Sequence, residues 1–168
     1  MGLTEAATAL GRRASVASDD GFLYVLYSST RDEEMAVWNA PADQREAFLN
    51  LQFTAQRAHY TRNYPGATNT IITLGDQPVG RSLVDRSNDE IHVIDIALLP
   101  GYRNTGVGTT LMRELIDESV ATGRAVRLHV FKPSRAVQFY ERLGFRKIGD
   151  AQTHWRLEWN PLAAAGNQ

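Results

Sequence analysis

The chain has 168 residues, enough for one domain that buries about two-thirds of the surface its unfolded form exposes. Its 18 Lys and Arg nearly balance 19 Asp and Glu, a net charge of −1, so no bulk field draws it to nucleic acid or anionic lipid. It contains no cysteine, which excludes disulfides, thiolate zinc sites and a cysteine nucleophile.

Residues 1–20 are rich in Ala, Ser and Thr with little periodicity and read as a loose tail. Arg12 and Arg13 lie there, but no apolar stretch is long enough for a signal peptide or a membrane span, so a cytoplasmic protein without a membrane partner is expected. The folded domain should run over 21–160, with a short tail at 161–168. Residues 22–28 (Phe-Leu-Tyr-Val-Leu-Tyr-Ser) form an apolar, aromatic run that predicts a buried strand. Thr30 followed by Glu33 makes a capping box for a short helix toward Trp38. A longer helix is predicted from Asp43 to Arg62, with Phe48, Leu51, Ala55 and Ala58 on one face, before Tyr64-Pro65-Gly66 ends it.

Three strands on short turns follow, over 69–74, 79–85 and 90–98. The connections are too short for crossovers, so this is an antiparallel meander. The third strand is apolar on both faces except at His92 and Asp95, which places it centrally in the sheet. Leu111, Met112, Leu115, Ile116 and Val120 then recur at helical spacing, and Gly123 stops the helix. A strand over 125–131 leads to a short helix capped by Ser134, carrying Val137, Tyr140 and Leu143 and closed by Gly144. In the last strand Trp155, Leu157 and Trp159 alternate with Arg156 and Glu158, an apolar edge suited to a homodimer. The whole is an α/β domain with a mixed sheet.

The most informative stretch joins the central strand to the next helix: Pro100-Gly101-Tyr102-Arg103-Asn104-Thr105-Gly106-Val107-Gly108-Thr109. Gly106 and Gly108 remove the side chains that would keep a diphosphate from the backbone. Successive N–H groups, with the positive end of the helix dipole behind them, then form an anion cradle to which Arg103 can add a charged contact. A Walker loop needs Gly-Lys-Ser/Thr, whereas Thr109 follows Gly108 here. A dinucleotide fingerprint needs a third glycine where Leu111 stands.

Arg103, Gly106 and Gly108 match Arg/Gln-x-x-Gly-x-Gly/Ala, the signature of the GNAT N-acetyltransferases. At that family's usual distance comes Ala136-Val137-Gln138-Phe139-Tyr140-Glu141-Arg142-Leu143-Gly144-Phe145, which resembles its second signature: an alanine, a tyrosine four residues on, and Gly-Phe closing the helix. The resemblance covers residues 20–160. It implies the GNAT fold, a mixed and mostly antiparallel sheet with a central splayed strand pair flanked by helices. The implied activity is transfer of acetyl from acetyl-CoA, as co-substrate and without a metal, to a primary amine.

Carried over residue by residue, the resemblance implies that backbone groups of Ile96 and Leu98 bond the pantetheine arm, with the Leu98 N–H polarising the thioester carbonyl. Arg103, Asn104, Thr105, Gly106, Val107, Gly108 and Thr109 would hold the diphosphate. Tyr140 would protonate the leaving thiolate, a role open to a phenol that titrates near about 10, although Tyr140 also shares an apolar face with Val137 and Leu143. The family's pantetheine-binding asparagine, two or three residues before the alanine, is replaced here by Ser134 or Pro133.

His92 is the candidate base for the amine's proton, with the parity of Ile94, Ile96 and Leu98 unless a strand bulge intervenes; packing on the sheet or deprotonation through water are the alternatives. Asp95, of opposite parity, is expected to bond a loop or cap a helix, or to orient a histidine. His59, Gln52, Gln56 and Tyr60 form a polar stripe on the long helix that walls the acceptor site in the family, and Trp38 is a second wall candidate. His129 and His154 read as structural. A small-molecule amine is favoured as acceptor and a protein lysine stays open, while nucleic acid is not expected. A non-catalytic acyl-CoA-binding module and another acyl-CoA donor are the competing readings.

Overall fold

A computed structural model describes residues 9–166. Its elements, in chain order, are β1 (Leu10–Ala14), α1 (Asp20–Ser29), α2 (Asp32–Val37), α3 (Ala42–Asn63), β2 (Thr68–Leu74), β3 (Gln77–Arg86), β4 (Glu90–Leu98), α4 (Val107–Thr122), β5 (Ala125–Phe131), α5 (Ala136–Arg142), β6 (Arg146–Ala151), β7 (His154–Trp159) and α6 (Pro161–Ala165). The seven strands form one sheet in the order β1-β2-β3-β4-β5-β7-β6. β4 and β5 run parallel, while β1 with β2, β5 with β7 and β7 with β6 run antiparallel. This is the mixed, mostly antiparallel sheet flanked by helices that the sequence predicts, with β4 at its centre. Among the described residues, no helix is long and apolar enough to cross a membrane.

The described residues divide into two compact units, one of residues up to Ser82 with Ile96–Arg103, the other of Leu83–Asp95 with Asn104 onward. The first holds Leu23, Tyr27, Phe53 and Ile71 as a buried cluster, with Phe22, Tyr24 and Leu49 against it. Each fully buried side chain of this size contributes about 1.5–3 kcal/mol.

Several expectations change in this unit. The run 22–28 is helix, not strand. Leu23, Leu26 and Tyr27 are buried at helical spacing while Val25 is 56% exposed, so only one face of the run is hidden. From Leu10 on, the expected loose tail is also ordered. Leu10–Ala14 pairs with Leu74–Thr70, and Arg13 grips the buried Asp19 through two hydrogen bonds of 2.7 and 2.8 Å. Residues 1–8 lie outside the described residues.

The capping box does not form. The Thr30 hydroxyl donates to the Tyr27 carbonyl at the end of α1, and Arg31 occupies the cap position of α2. α3 covers the predicted span but buries a different face. Phe53 is buried with Leu49, Gln52, Gln56 and Tyr60 half-buried beside it along the helix, while Leu51, Ala55 and Ala58 are exposed.

In the second unit α4 and α5 each pack on β5. Leu111, Met112 and Leu115 of α4 are buried, as are Val126, Leu128 and Val130 of β5. Ser119, fully buried, takes the place expected of Val120, and its hydroxyl donates to the Arg124 carbonyl. Gly123 and Gly144 stop α4 and α5 at φ 72° and 99°, left-handed values that favour glycine.

The sequence missed β6, whose one large apolar residue, Ile148, is exposed among Arg146, Lys147 and Asp150. β6 therefore forms the sheet edge, and β7 with Trp155 and Trp159 lies inside the sheet, which removes the edge proposed for a homodimer. Residues 161–165, expected as tail, form α6, whose first turn is capped by the Asn160 side chain accepting from the Leu162 N–H at 2.9 Å.

Candidate active site

The loop before α4 takes its shape from its own residues. A 3-10 turn over Pro100–Tyr102 leads to Asn104 at φ 58° and Gly106 at φ 90°, and α4 begins at Val107. Asparagine and glycine are the residues that tolerate this left-handed conformation. The first helical bond runs from the Thr110 N–H to the Gly106 carbonyl at 3.0 Å. Val107, Gly108 and Thr109 therefore point N–H groups out of the helix end with no partner within α4. A Cβ built on Gly106 meets nothing within 4 Å. Bare backbone donors, open space and the positive end of a 16-residue helix together fit a diphosphate.

Arg103 is arranged otherwise than expected. Its Nε donates to the Leu98 carbonyl at 3.0 Å, and its terminal nitrogen reaches Ser29 Oγ at 3.3 Å and the Ser29 carbonyl at 3.5 Å. The guanidinium thus ties the loop to the end of β4 and the C-terminus of α1, where the helix dipole favours a cation. A phosphate contact from it requires that these bonds be exchanged.

The end of β4 is shaped by a neighbour the sequence analysis passed over. A Cβ on Gly80 would sit 2.5 Å from the Ala97 carbonyl oxygen and 2.6 Å from Leu98 Cδ2, so only glycine lets β3 approach there. A glycine inside a strand was the available signal.

The two strands also keep different counts. Ser87 N–H bonds the Glu90 carbonyl and Leu99 N–H bonds the Val79 carbonyl, so nine steps along β4 match eight along β3. β4 carries an extra residue, a bulge. The parity drawn from His92 to Ile96 and Leu98 therefore does not hold along the strand. From Ile94 to Leu98 every residue is half-buried, where Ile91 and Val93 alternate with His92. The β4–β5 ladder covers Glu90–Val93 against Ala125–Leu128.

Tyr140 projects from α5 into the core, 8% exposed, with Phe139 and Phe145 rings edge-on at 5.1 and 5.5 Å. Burial, and then the negative charge of Asp95, push its phenol up to about 12. Asp95 thus bears on the tyrosine, a relation that strand parity did not reveal. Ser134, where an asparagine was expected, accepts from the Ala136 N–H at 3.1 Å and supports the start of α5.

His92 is half-buried, and its ring meets the His129 ring edge-on at 6.0 Å. His129 is exposed, and its affinity for a proton is lowered by burial of its inner part and then by the charges of His92, Arg156 and His154, with Glu90 opposing. Beside them Arg127 bonds Glu90 at 2.9 Å and Glu158 at 2.8 Å. His154 also packs against Phe131 at 5.6 Å. Both histidines read as structural therefore have partners.

The polar stripe on α3 divides. The Tyr27 hydroxyl donates to Gln52 at 3.2 Å, whereas His59 is exposed beside Tyr60, Tyr64 and Asn63. Trp38 lies edge-on to Phe48 at 5.2 Å and is 39% exposed. Arg81, which sequence reasoning missed, is buried on β3 with its guanidinium 5.5 Å from the centre of the Tyr60 ring.

Comparison with known proteins shows the family and the fold. Residues 24–145 match the model of the acetyltransferase (GNAT) family. An N-alpha-acetyltransferase, RimI, from Mycobacterium tuberculosis is 29% identical over 112 residues, 66% of each chain. The match thus spans just under two thirds of that relative's length. Among solved structures, the PaiA N-acetyltransferase of Thermoplasma acidophilum, in complex with coenzyme A, superposes with a TM-score of 0.69 at 15% identity, covering 90% of this chain and 99% of that one. The ribosomal-protein-S18-alanine N-acetyltransferase of Escherichia coli gives 0.59 at 17% identity, covering 89% and 90%.

Proposed function

The chain belongs to the acetyltransferase (GNAT) family, and on that premise we propose that it moves an acetyl group from acetyl-CoA to a primary amine by direct attack. The observation that carries the proposal is the open backbone cradle at the head of α4, joined in one chain to a buried tyrosine on α5. Residues Asn104 to Thr109 hold the diphosphate, chiefly through backbone N–H groups, with Arg103 fixing the loop. Backbone groups of Ile96 and Leu98 bond the pantetheine arm, and the Leu98 N–H polarises the carbonyl under attack. The bound co-substrate supplies an activated thioester.

His92 takes the proton from the amine, which requires the neutral imidazole. Tyr140 stands at the leaving sulfur. A phenol at about 12 is fully protonated at neutral pH and is a weaker acid than a free thiol at about 8.5. It therefore acts as a hydrogen-bond donor to the charge building on sulfur and keeps its proton, because full transfer from the weaker acid to the thiolate runs uphill.

The acceptor we propose is a small-molecule amine. A second reading, the α-amine of a protein N-terminus, is favoured by the similarity to the mycobacterial N-alpha-acetyltransferase. CoA release measured against a panel of small amines and N-terminal peptides separates the two. Turnover confined to peptides with a free α-amine selects the second reading, and no release with any amine removes the enzyme reading altogether.

A further inference from the structure

We infer that His129 carries the proton onward from His92 to solvent, so that two histidines on neighbouring strands form a short relay for the proton lost by the amine. This rests on the reading of His92 as the base. Register places the pair: His92 lies opposite Arg127 in the parallel ladder, and His129 follows two residues later on the same face of β5, opposite to that of buried Val126, Leu128 and Val130. The rings meet edge-on with their centroids 6.0 Å apart, so their nitrogens lie within reach of one bridging water at the ring edges. His92 is half-buried and His129 exposed, so the pair leads outward. A base that takes a proton in every turnover must also lose it, and a half-buried one needs a route.

The surroundings suit a group that passes protons rather than keeping them. The groups that bear on His129 are His92 and Glu90 on β4 and Arg156 and His154 on β7, while Arg127 lies two residues before it on its own strand. Arg127 is held between Glu90 and Glu158, whose two carboxylates more than offset its charge. Burial, followed by the positive charges of His92, Arg156 and His154, keeps His129 below the ordinary histidine range, against the smaller pull of Glu90. At neutral pH it is therefore an uncharged acceptor. Charging both rings at once is disfavoured, so a proton reaching His129 leaves readily.

The step balances simply. The ammonium N–H proton moves to one nitrogen of His92, and His92 releases the proton on its other nitrogen, through water, to His129. His129 releases one proton to bulk, and both rings return to neutral with their tautomers exchanged. Only N–H and O–H bonds change, and no redox partner is needed.

The test compares His129→Ala and His129→Asn with His92→Gln, measuring kcat near pH 7 at low buffer concentration, with and without added imidazole. Retained melting temperature and acetyl-CoA-induced stabilisation certify that each variant folds, and His129 is exposed, so both substitutions should be tolerated. The relay predicts that kcat falls about tenfold in the His129 variants, that imidazole restores it, and that KM for acetyl-CoA is unchanged. A merely structural role gives no rescue. Parental turnover without buffer dependence in both His129 variants, while His92→Gln has lost its acidic limb, overturns the relay and leaves the base in place. A parental profile in His92→Gln overturns the base reading and the relay with it.

Discussion

The head of α4 and the polar face of β4, β5 and β7 present charge by opposite means. At the helix head the donors are backbone N–H groups of Val107, Gly108 and Thr109, and what matters is which side chains are missing. On the sheet face charge is presented by side chains, the rings of His92 and His129 beside the Arg127–Glu158 pair, and in the relay what matters is which histidine carries the proton. The first device does not titrate, so it suits a ligand that stays charged over the working range. The second is tuned by burial and neighbours, so it suits a proton in transit. One region should therefore govern affinity and the other rate.

The largest effect that can break this division comes from Gly108→Val. A side chain over the cradle should abolish the rise in melting temperature that acetyl-CoA causes, a loss of about 2.7 kcal/mol at a hundredfold excess over Kd. Parental stabilisation in that variant would put the diphosphate elsewhere. On the rate side, Tyr140→Phe removes one oxygen and leaves most packing in place. It should cost about 10²-fold in kcat with little change in acetyl-CoA affinity, provided chemistry limits turnover.

The same variant has a second readout. With the native phenol raised to about 12, the unfolded chain ionises first, so the native protein loses stability as pH rises from about 10 to 12. Tyr140→Phe should remove that part of the loss in alkaline melts.

A smaller change is expected from His92→Gln, which should flatten the acidic limb of the pH–rate profile, since a protonated imidazole cannot act as a base. Unchanged rate and profile would move the proton to water. The smallest effect is a control. Asp19, held at about 2 chiefly by its hydrogen bonds from Arg13, contributes stability above about 3.8 and loses it as pH falls from there toward 2. Asp19→Asn should lower the melting temperature by roughly 5 °C at neutral pH and leave the acidic limb of the rate profile in place. If that limb shifts with Asp19→Asn, it reports unfolding rather than the histidines.

The same division decided what the sequence disclosed. The cradle was legible because glycine and asparagine announce backbone geometry directly, as Gly106 and Asn104 do with their positive φ. β4 and α4 were legible from their apolar patterns. α1 was not, because a seven-residue aromatic run satisfies strand and helix periods alike, and only its partner Phe53 on α3 selects the face. β6 was hidden by its charge, as an edge strand needs no apolar alternation. The bulge in β4 and the His92–His129 contact depend on register between strands, which no single segment encodes. The grip of Arg103 on Leu98 and Ser29 is likewise tertiary, joining residues 74 positions apart.

The central claim is that a backbone cradle at the head of α4 delivers an acetyl donor to amine chemistry at Tyr140. Its most direct test is CoA release from acetyl-CoA across an amine panel, run in parallel on the wild type, Gly108→Val and Tyr140→Phe with acetyl-CoA binding measured on each. The account predicts that the wild type binds and turns over, that Gly108→Val does neither, and that Tyr140→Phe binds normally but turns over about 10²-fold more slowly. Normal binding and turnover in Gly108→Val, or full turnover in Tyr140→Phe where chemistry limits the rate, would contradict it.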